Sequence, residues 1–506
     1  MKINILEYFE ETAKAIPENI AIIDGDQSIS FNELRKKAKI LATALMSLNC
    51  INKPIAVFNP KSIEAVISDI GITFSGNAYM NLDVKTPTAR IHNILERIQP
   101  IAIITDKKYR EIIRNIAEDI PIILIDEIDF NTEIDLDGLK KIASSIIDTD
   151  PLCIINTSGS TGTPKGVVLN HKSFIDFTEW AMDTLQIGGN EIVGSLSPSV
   201  FDIYSFELCM LMAKGSTIVL LPESLAAFPA KILSIMQQNK VSFIFWVPTI
   251  MVNIANMDLL SKISLPDLKT IWFAGEVFPT KPFKYWKAHL KDSKFVNLYG
   301  PIEITLDCTY YIVDRELADN EPIPIGYPCR NTDVLILNEQ NRIAAVNEEG
   351  ELCVRGTSLA MGYYNNPEKT AEVFVQNPLN SSYPEIIYRT GDLVYKNEQG
   401  EIIFKGRKDS LVKHMGYRIE LGEIEHVIIN TLKLVENGCV VYNQSKKEIT
   451  LFYESKTSIN IIKFKKAIAE VFPKYMVPTV FHQMEELPRN TNGKIDRLKL
   501  THSLNN

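Results

Sequence analysis

The sequence predicts an α/β protein: a large N-terminal domain of mixed, mostly parallel sheets flanked by helices, followed by a small C-terminal α+β domain. Three observations predict this. Short β-branched runs alternate with longer amphipathic stretches along the chain, the pattern of parallel strands joined by helical crossovers. The chain has 506 residues, too many for one compact core. Its composition, 45% hydrophobic and 23% charged, is that of an ordinary globular protein.

The elements follow in order. The opening MKINILEYFEETAKAIPENIAI carries Glu7, Glu10 and Glu11 where a signal peptide is continuously apolar. IAIIT (101–105) predicts a strand, the following KKYREIIRNIAEDI a helix, and PIILID another strand. IPIILI (120–125) and STIVLLP (216–222) are strand-sized and far short of a membrane span. LCIIN (152–156) reads as a strand, SFIDFTEWAMDTL (173–185) as an amphipathic helix, and the residues between them as a loop. IYSFELCMLMA (203–213) suggests a further helix, and GEIIFKG (400–406) a closing hairpin strand that ends the first domain at 405.

Charge and cysteine content exclude some functions. With 53 basic and 62 acidic residues the net charge is -9, which argues against nucleic acid as a partner. Residues 410–506 hold 14 Lys and Arg against 10 Asp and Glu, a net of +4, leaving −13 for residues 1–409. Cys50, Cys153, Cys209, Cys308, Cys329, Cys353 and Cys439 are scattered, without C-x-x-C spacing, and read as thiols of a reducing compartment. A cytoplasmic protein without membrane insertion is expected.

NTSGSTGTPKGV (156–167) concentrates glycine and hydroxyl side chains around Lys165, as phosphate-holding loops do. It is no Walker A loop. Pro164 precedes Lys165 and Gly166 follows it, where that motif needs a glycine before the lysine and a metal-binding hydroxyl after it.

In this loop the sequence resembles the adenylate-forming enzymes: acyl-CoA synthetases, luciferases and the adenylation domains of nonribosomal peptide synthetases. Further matches come in the family's order: NLYGPIE (297–303), GELCVRG (350–356), YRTGD (388–392), GRKDSLVKHMGYRIELGEIE (406–425) and NGKIDR (492–497). The resemblance spans nearly the whole chain. It implies two half-reactions, carboxylate attack on the α-phosphate of ATP and then thiol capture of the adenylate. It also implies a core domain over 1–405, a hinge over 406–409 centred on Asp409, and a mobile domain over 410–506.

By the same resemblance Thr157, Ser158, Gly159, Ser160, Thr161, Gly162 and Lys165 would hold the phosphates. Glu303 would hold Mg2+. Tyr299 would stack on adenine beside Ala274, Gly275 and Glu276, with Asn297 and Gly300 nearby. Asp392 would accept both ribose hydroxyls, for which its two oxygens suit it, and Arg407 would add a ribose or phosphate contact. Lys494 is the implied catalytic cation, stabilising charge that concentrates in the transition state, with Thr161 and Glu303 beside it in that role. Lys413 and Gly416 would face the incoming thiol. Ile302 departs from the family, which has threonine there; losing one donor to the α-phosphate would cost ~1–3 kcal/mol.

SPSVFDIYSFEL (197–208) aligns with the family's substrate-pocket motif. Asp202 falls where amino-acid-activating members pair the substrate ammonium, although it could instead cap the following helix. Phe201, Ile203, Phe206, Phe245, Trp272, Ala274, Leu298, Leu306 and Asp307 would complete the pocket. The set is bulky and apolar except for Asp307, which implies a small or medium side chain of serine, proline or alanine type. No Gly-Gly-x-Ser phosphopantetheine site is present and twelve residues follow Lys494, so a phosphopantetheinylated carrier protein is expected in trans. Free coenzyme A, as in acyl-CoA synthetases, is the alternative thiol. The layout is also similar to D-alanine–carrier protein ligases of teichoic acid synthesis, which have cysteine at the position of Ala274.

Overall fold

The computed structural model describes residues 2–157, 164–319, 321–408, 411–435, 437–455, 459–489 and 495–504. The chain divides into two compact units. The first comprises Met1–Val84, Gln99–Ile155 and Val167–Gly406; the second gathers Lys85–Ile98, Asn156–Gly166 and Arg407–Asn506.

Two large sheets carry the first unit. In one, the strands Ile20–Asp24, Thr217–Leu220, Ile192–Ser195, Phe243–Trp246, Thr270–Phe273 and Lys294–Tyr299 run parallel to their neighbours. Antiparallel pairs close both edges, Gln27–Ser30 on one side and Thr309–Ile312 with Tyr327–Pro328 on the other. The second sheet is ordered Gly362–Tyr363, Lys165–Asn170, Pro151–Thr157, Ala78–Asn81, Pro54–Val57, Ala102–Thr105, Ile122–Leu124. Its central strands are buried on both faces, as the unbroken apolar runs require of parallel strands covered on each side.

Two helices have almost no solvent face. Ile63–Phe74 buries every residue but Glu64, and Asp202–Lys214 buries ten in succession, Ile203–Met212. A helix enclosed on every side belongs in a core rather than on a surface. A third, antiparallel sheet pairs Thr332–Leu337 with Gly350–Gly356, and that strand with Ile386–Lys396, which also pairs Phe374–Gln376.

In the second unit, Gly438–Asn443 pairs antiparallel with Glu448–Glu454, and Val480–Met484 joins in parallel. The helices Leu421–His426 and Ile461–Ala469 contribute Ile424, Phe464 and Ile468 to a core shared with Val440, Leu451 and Tyr453. A two-stranded hairpin, Leu411–His414 and Tyr417–Glu420, stands beside this sheet in sequence. Met415 and Gly416 at its tip have φ of 53° and 83°. Such a tip needs positive φ at both positions, which glycine supplies freely.

Candidate active site

Asp202 is the first residue of its helix, and the cap position is Phe201, whose side chain makes no capping bond. The Asp202 carboxylate accepts the Ile203 N–H at 3.0 Å through one oxygen and the Leu306 N–H at 3.1 Å through the other. Two buried polar networks hold this helix in place, and neither was legible in the sequence. Tyr204 donates to Asp69 at 2.8 Å, and Asn81 donates to the same carboxylate at 3.1 Å. Burial pushes the Asp69 carboxyl up to about 7, with those two bonds opposing the rise. Glu207, also fully buried, accepts from the Ser195 hydroxyl. Lys61 donates to the carbonyls of Ser195 and Ser197 at 2.8 and 2.9 Å. Burial raises Glu207 to about 7 while the Lys61 charge pulls it down.

The expected pocket positions lie together in one core cluster: Ile203, Phe206, Phe245, Trp272, Ala274, Leu298 and Leu306. Phe206 stacks on Trp272 at 5.5 Å and 13°, and Phe245 meets Trp272 edge-on at 5.5 Å. Phe245 and Trp272 are register partners on adjacent parallel strands, which explains their contact. The buried Trp272 indole N–H has no hydrogen-bond partner among the described residues. Asp307 is 3% exposed, so it does not face solvent.

The segment 300–307 is tightly constrained. A Cβ on Gly300 would stand 2.1 Å from the Leu306 carbonyl oxygen and 2.5 Å from the Asp307 Cα, so only glycine fits. A single 3-10 turn, Ile302–Ile304, follows, and then Thr305 and Leu306 adopt φ of 51° and 64°. Left-handed backbone at a β-branched residue is strained and persists only where its surroundings enforce it. The turn buries Glu303 completely, and the Tyr363 hydroxyl donates to it at 2.7 Å. The Ala360 N–H donates to the Glu303 carbonyl at 2.9 Å. Tyr363 escaped the sequence reading because no local pattern links it to a residue sixty positions earlier.

Tyr299 ends the strand before this turn, and its hydroxyl donates to the Asp392 carboxylate, itself 1% exposed. The Asp392 N–H donates to the Thr390 hydroxyl at 3.0 Å, and that hydroxyl donates to the Leu352 carbonyl at 2.7 Å. Asn297 donates to the Pro324 carbonyl at 2.7 Å. Ala274 is buried and Gly275 takes φ of 87°. Glu276 accepts both the N–H and the hydroxyl of Thr249 in the first turn of the helix Pro248–Asn256, a capping task the sequence did not suggest.

In the second unit Lys165 is not a loop residue, as the sequence had it, but opens the strand Lys165–Asn170. The adjacent valines of KGVVLN favour an extended chain, and the helix starts only at His171. The Lys165 ammonium donates to Glu420 at 2.9 Å. Thr157 ends the preceding strand, and both side-chain polar atoms of the adjoining Asn156 are buried without a partner among the described residues. Arg407 ends the strand Ile402–Arg407 and is half-buried; Lys413 and Gly416 lie on the hairpin. Ser158, Gly159, Ser160, Thr161, Gly162, Asp409 and Lys494 lie outside the described residues. Among the described residues no group of three or more His, Cys, Asp or Glu could hold a metal, and no helix is long and apolar enough to cross a membrane.

Comparison with known proteins shows the family. Residues 9–364 match the model of the AMP-binding enzyme family. Tyrocidine synthase 1 of Brevibacillus parabrevis is 30% identical over 500 residues, 98% of this chain and 45% of that one. Gramicidin S synthase 2 of Brevibacillus brevis is 32% identical over 98% of this chain and 11% of its own. The chain thus spans less than half the length of these relatives. Zwittermicin A synthase ZmaJ of Bacillus cereus is 30% identical over 97% of this chain and 94% of its own. Among solved structures, the Vibrio cholerae adenylation domain AlmE in complex with glycyl-adenosine-5'-phosphate superposes with a TM-score of 0.85 at 21% identity, covering 100% of this chain and 98% of that one. The nonribosomal peptide synthetase protein PA1221 gives 0.84 at 22%, covering 99% and 84%.

Proposed function

The chain belongs to the AMP-binding enzyme family and is an adenylate-forming enzyme, and we propose that it activates a small α-amino acid and hands it to the phosphopantetheine thiol of a separate carrier protein. In the first half-reaction a carboxylate oxygen of the amino acid attacks the α-phosphorus of ATP and pyrophosphate leaves. In the second the thiolate attacks the adenylate carbonyl and AMP leaves. Both steps depend on positioning and on neutralising phosphate charge.

The observation that carries the substrate class is Asp202. Its carboxylate is fixed by the Leu306 N–H at 3.1 Å, beside a pocket wall of apolar and aromatic side chains. An ionised carboxylate at the edge of such a wall suits an ammonium group. A fatty or aryl acid has no cation to offer it. The rings of Phe206, Phe245 and Trp272 pack against one another, so we assign a side chain of alanine, serine or proline size, and buried Asp307 as the acceptor for a substrate hydroxyl.

For the nucleotide, Asp392 is the acceptor we assign to the ribose hydroxyls, oriented by Tyr299. Glu303 is the one protein carboxylate we assign to Mg2+. The residues present fit that ion, since Mg2+ takes one or two carboxylates and otherwise waters and phosphate oxygens rather than a full protein cage. When bound it supplies charge neutralisation on the phosphates, while Tyr363 keeps the Glu303 carboxylate oriented. We assign the transition-state cation to Lys494 and the phosphate grip to the 157–165 stretch. The net positive charge of residues 410–506 supports an acidic carrier as partner.

Pyrophosphate exchange across the twenty L-amino acids and D-alanine tests the reading. Exchange confined to one or a few small amino acids is expected. Exchange with none, together with AMP release on a carboxylic acid lacking an amine, would refute it in favour of an acyl-CoA synthetase.

A further inference from the structure

Arg90 occupies an unexpected place. It lies on the apolar stripe of the helix Thr88–Ile98, in line with Ile91, Ile94, Leu95 and Ile98, and is buried with them. Arginine is almost never buried unless paired. Its partner is Glu423 of the short helix Leu421–His426, at 2.6 Å, with side-chain exposures of 9% and 0%. The pair joins segments 333 residues apart within the second unit. Three residues before Glu423, Glu420 pairs with Lys165 at 2.9 Å.

These two contacts indicate which step the arrangement serves. Lys165 stands at the end of the stretch assigned to the triphosphate. With Glu420 upon it, an incoming polyphosphate would meet a carboxylate at close range, and like charges repel strongly where water is scarce. The arrangement therefore suits the step after pyrophosphate has left, when the thiol attacks the adenylate. We infer that Arg90 is a positioning residue for thiol transfer: by gripping Glu423 it seats the 411–423 segment for the second half-reaction and has no part in the first. The inference rests on the two-step reading proposed above. It adds to it a residue that no motif in the sequence singled out.

The test uses the full chain with Arg90→Gln and Arg90→Lys. Adenylate formation is read by hydroxylamine trapping of the acyl group, which needs no thiol, and transfer is read by single-turnover thioester formation on pantetheine. For R90Q, trapping is expected within about twofold of wild type and transfer slowed about 10–100-fold, since the buried cation that holds Glu423 at 2.6 Å is removed. R90K, which keeps the cation, is expected to restore part of the transfer rate. Equal losses in both reactions, or unchanged transfer in R90Q, would overturn the role of Arg90. A wild-type chain that traps no amino acid as hydroxamate would instead overturn the functional reading and the inference with it.

Discussion

Gly300→Ala adds one methyl group where the backbone leaves no room for it. The new Cβ would lie 2.1 Å from the Leu306 carbonyl oxygen and 2.5 Å from the Asp307 Cα, against an ordinary contact of at least 3.4 Å. Both obstacles are backbone, so no side chain can swing aside. Relief requires the 306–307 peptide to retreat by about 1 Å, and a displacement of that size at a reacting centre costs roughly 100-fold in rate. The retreat would lengthen the Leu306 N–H bond to Asp202 and shift the turn that carries Glu303. Overpacking of this kind also costs about 1–3 kcal/mol of stability. All four tryptophans, Trp180, Trp246, Trp272 and Trp286, are buried in the first unit, so urea unfolding followed by tryptophan fluorescence reports on that unit. The expected outcome is a lower urea midpoint and pyrophosphate exchange reduced about 100-fold. A G300A protein with wild-type midpoint and exchange would show that the 300–307 turn does not set the site.

Three further outcomes are expected. Asp202→Asn keeps an oxygen for the Leu306 N–H but loses the charge, so KM for the amino acid should rise about 100-fold while KM for ATP and the urea midpoint stay put; an unchanged amino-acid KM would remove Asp202 from substrate binding. Phe206→Ala opens the aromatic wall, so exchange should extend to larger side chains at a stability cost of about 3 kcal/mol, and an unchanged exchange panel would place the side-chain pocket elsewhere. His171, buried and accepting the Ile5 N–H at 3.4 Å, is pushed down to about 4 by desolvation. Only the unfolded chain binds its proton between pH 6.5 and 4, so its share of stability, about 3 kcal/mol, is present above 6.5 and lost as pH falls. Asp69 acts in the opposite sense: raised to about 7, it keeps its proton in the fold, and its share is lost as pH climbs from about 4 to 7. Urea midpoints measured from pH 4 to 8 should lose the acid limb in His171→Gln and the alkaline slope in Asp69→Asn; limbs that persist in those variants would assign the titrations to other groups.

The parallel sheets were readable because their strands are continuous apolar runs: IAIIT became Ala102–Thr105 and LCIIN became Pro151–Thr157. Helix lengths were less so. The stretch after IAIIT gave only Arg110–Ile116, since propensity alone does not fix where tertiary contacts stop supporting a helix. KGVVLN reads as loop in the sequence because the glycines and proline on its N-terminal side obscure the short apolar run behind them. Around the site, Asp202, Glu303, Tyr299 and Asp392 stood out through motifs. Their partners did not. Tyr363, Lys61, Asp69 and Arg90 act across long sequence separations, and a side chain's partner in space leaves no periodicity in the chain. The one local hint was Arg90, a charge standing in an otherwise apolar helical stripe.

A rod hemmed in along its whole circumference cannot be re-phased. Turning the Asp202–Lys214 helix by a single residue would drive Glu207 and Tyr204 out of their sockets and new side chains into full ones. On the proposed pocket, drift in what this scaffold accepts comes from exchanging the rings on the facing strands, while the anion at the rod's tip stays anchored through every such exchange.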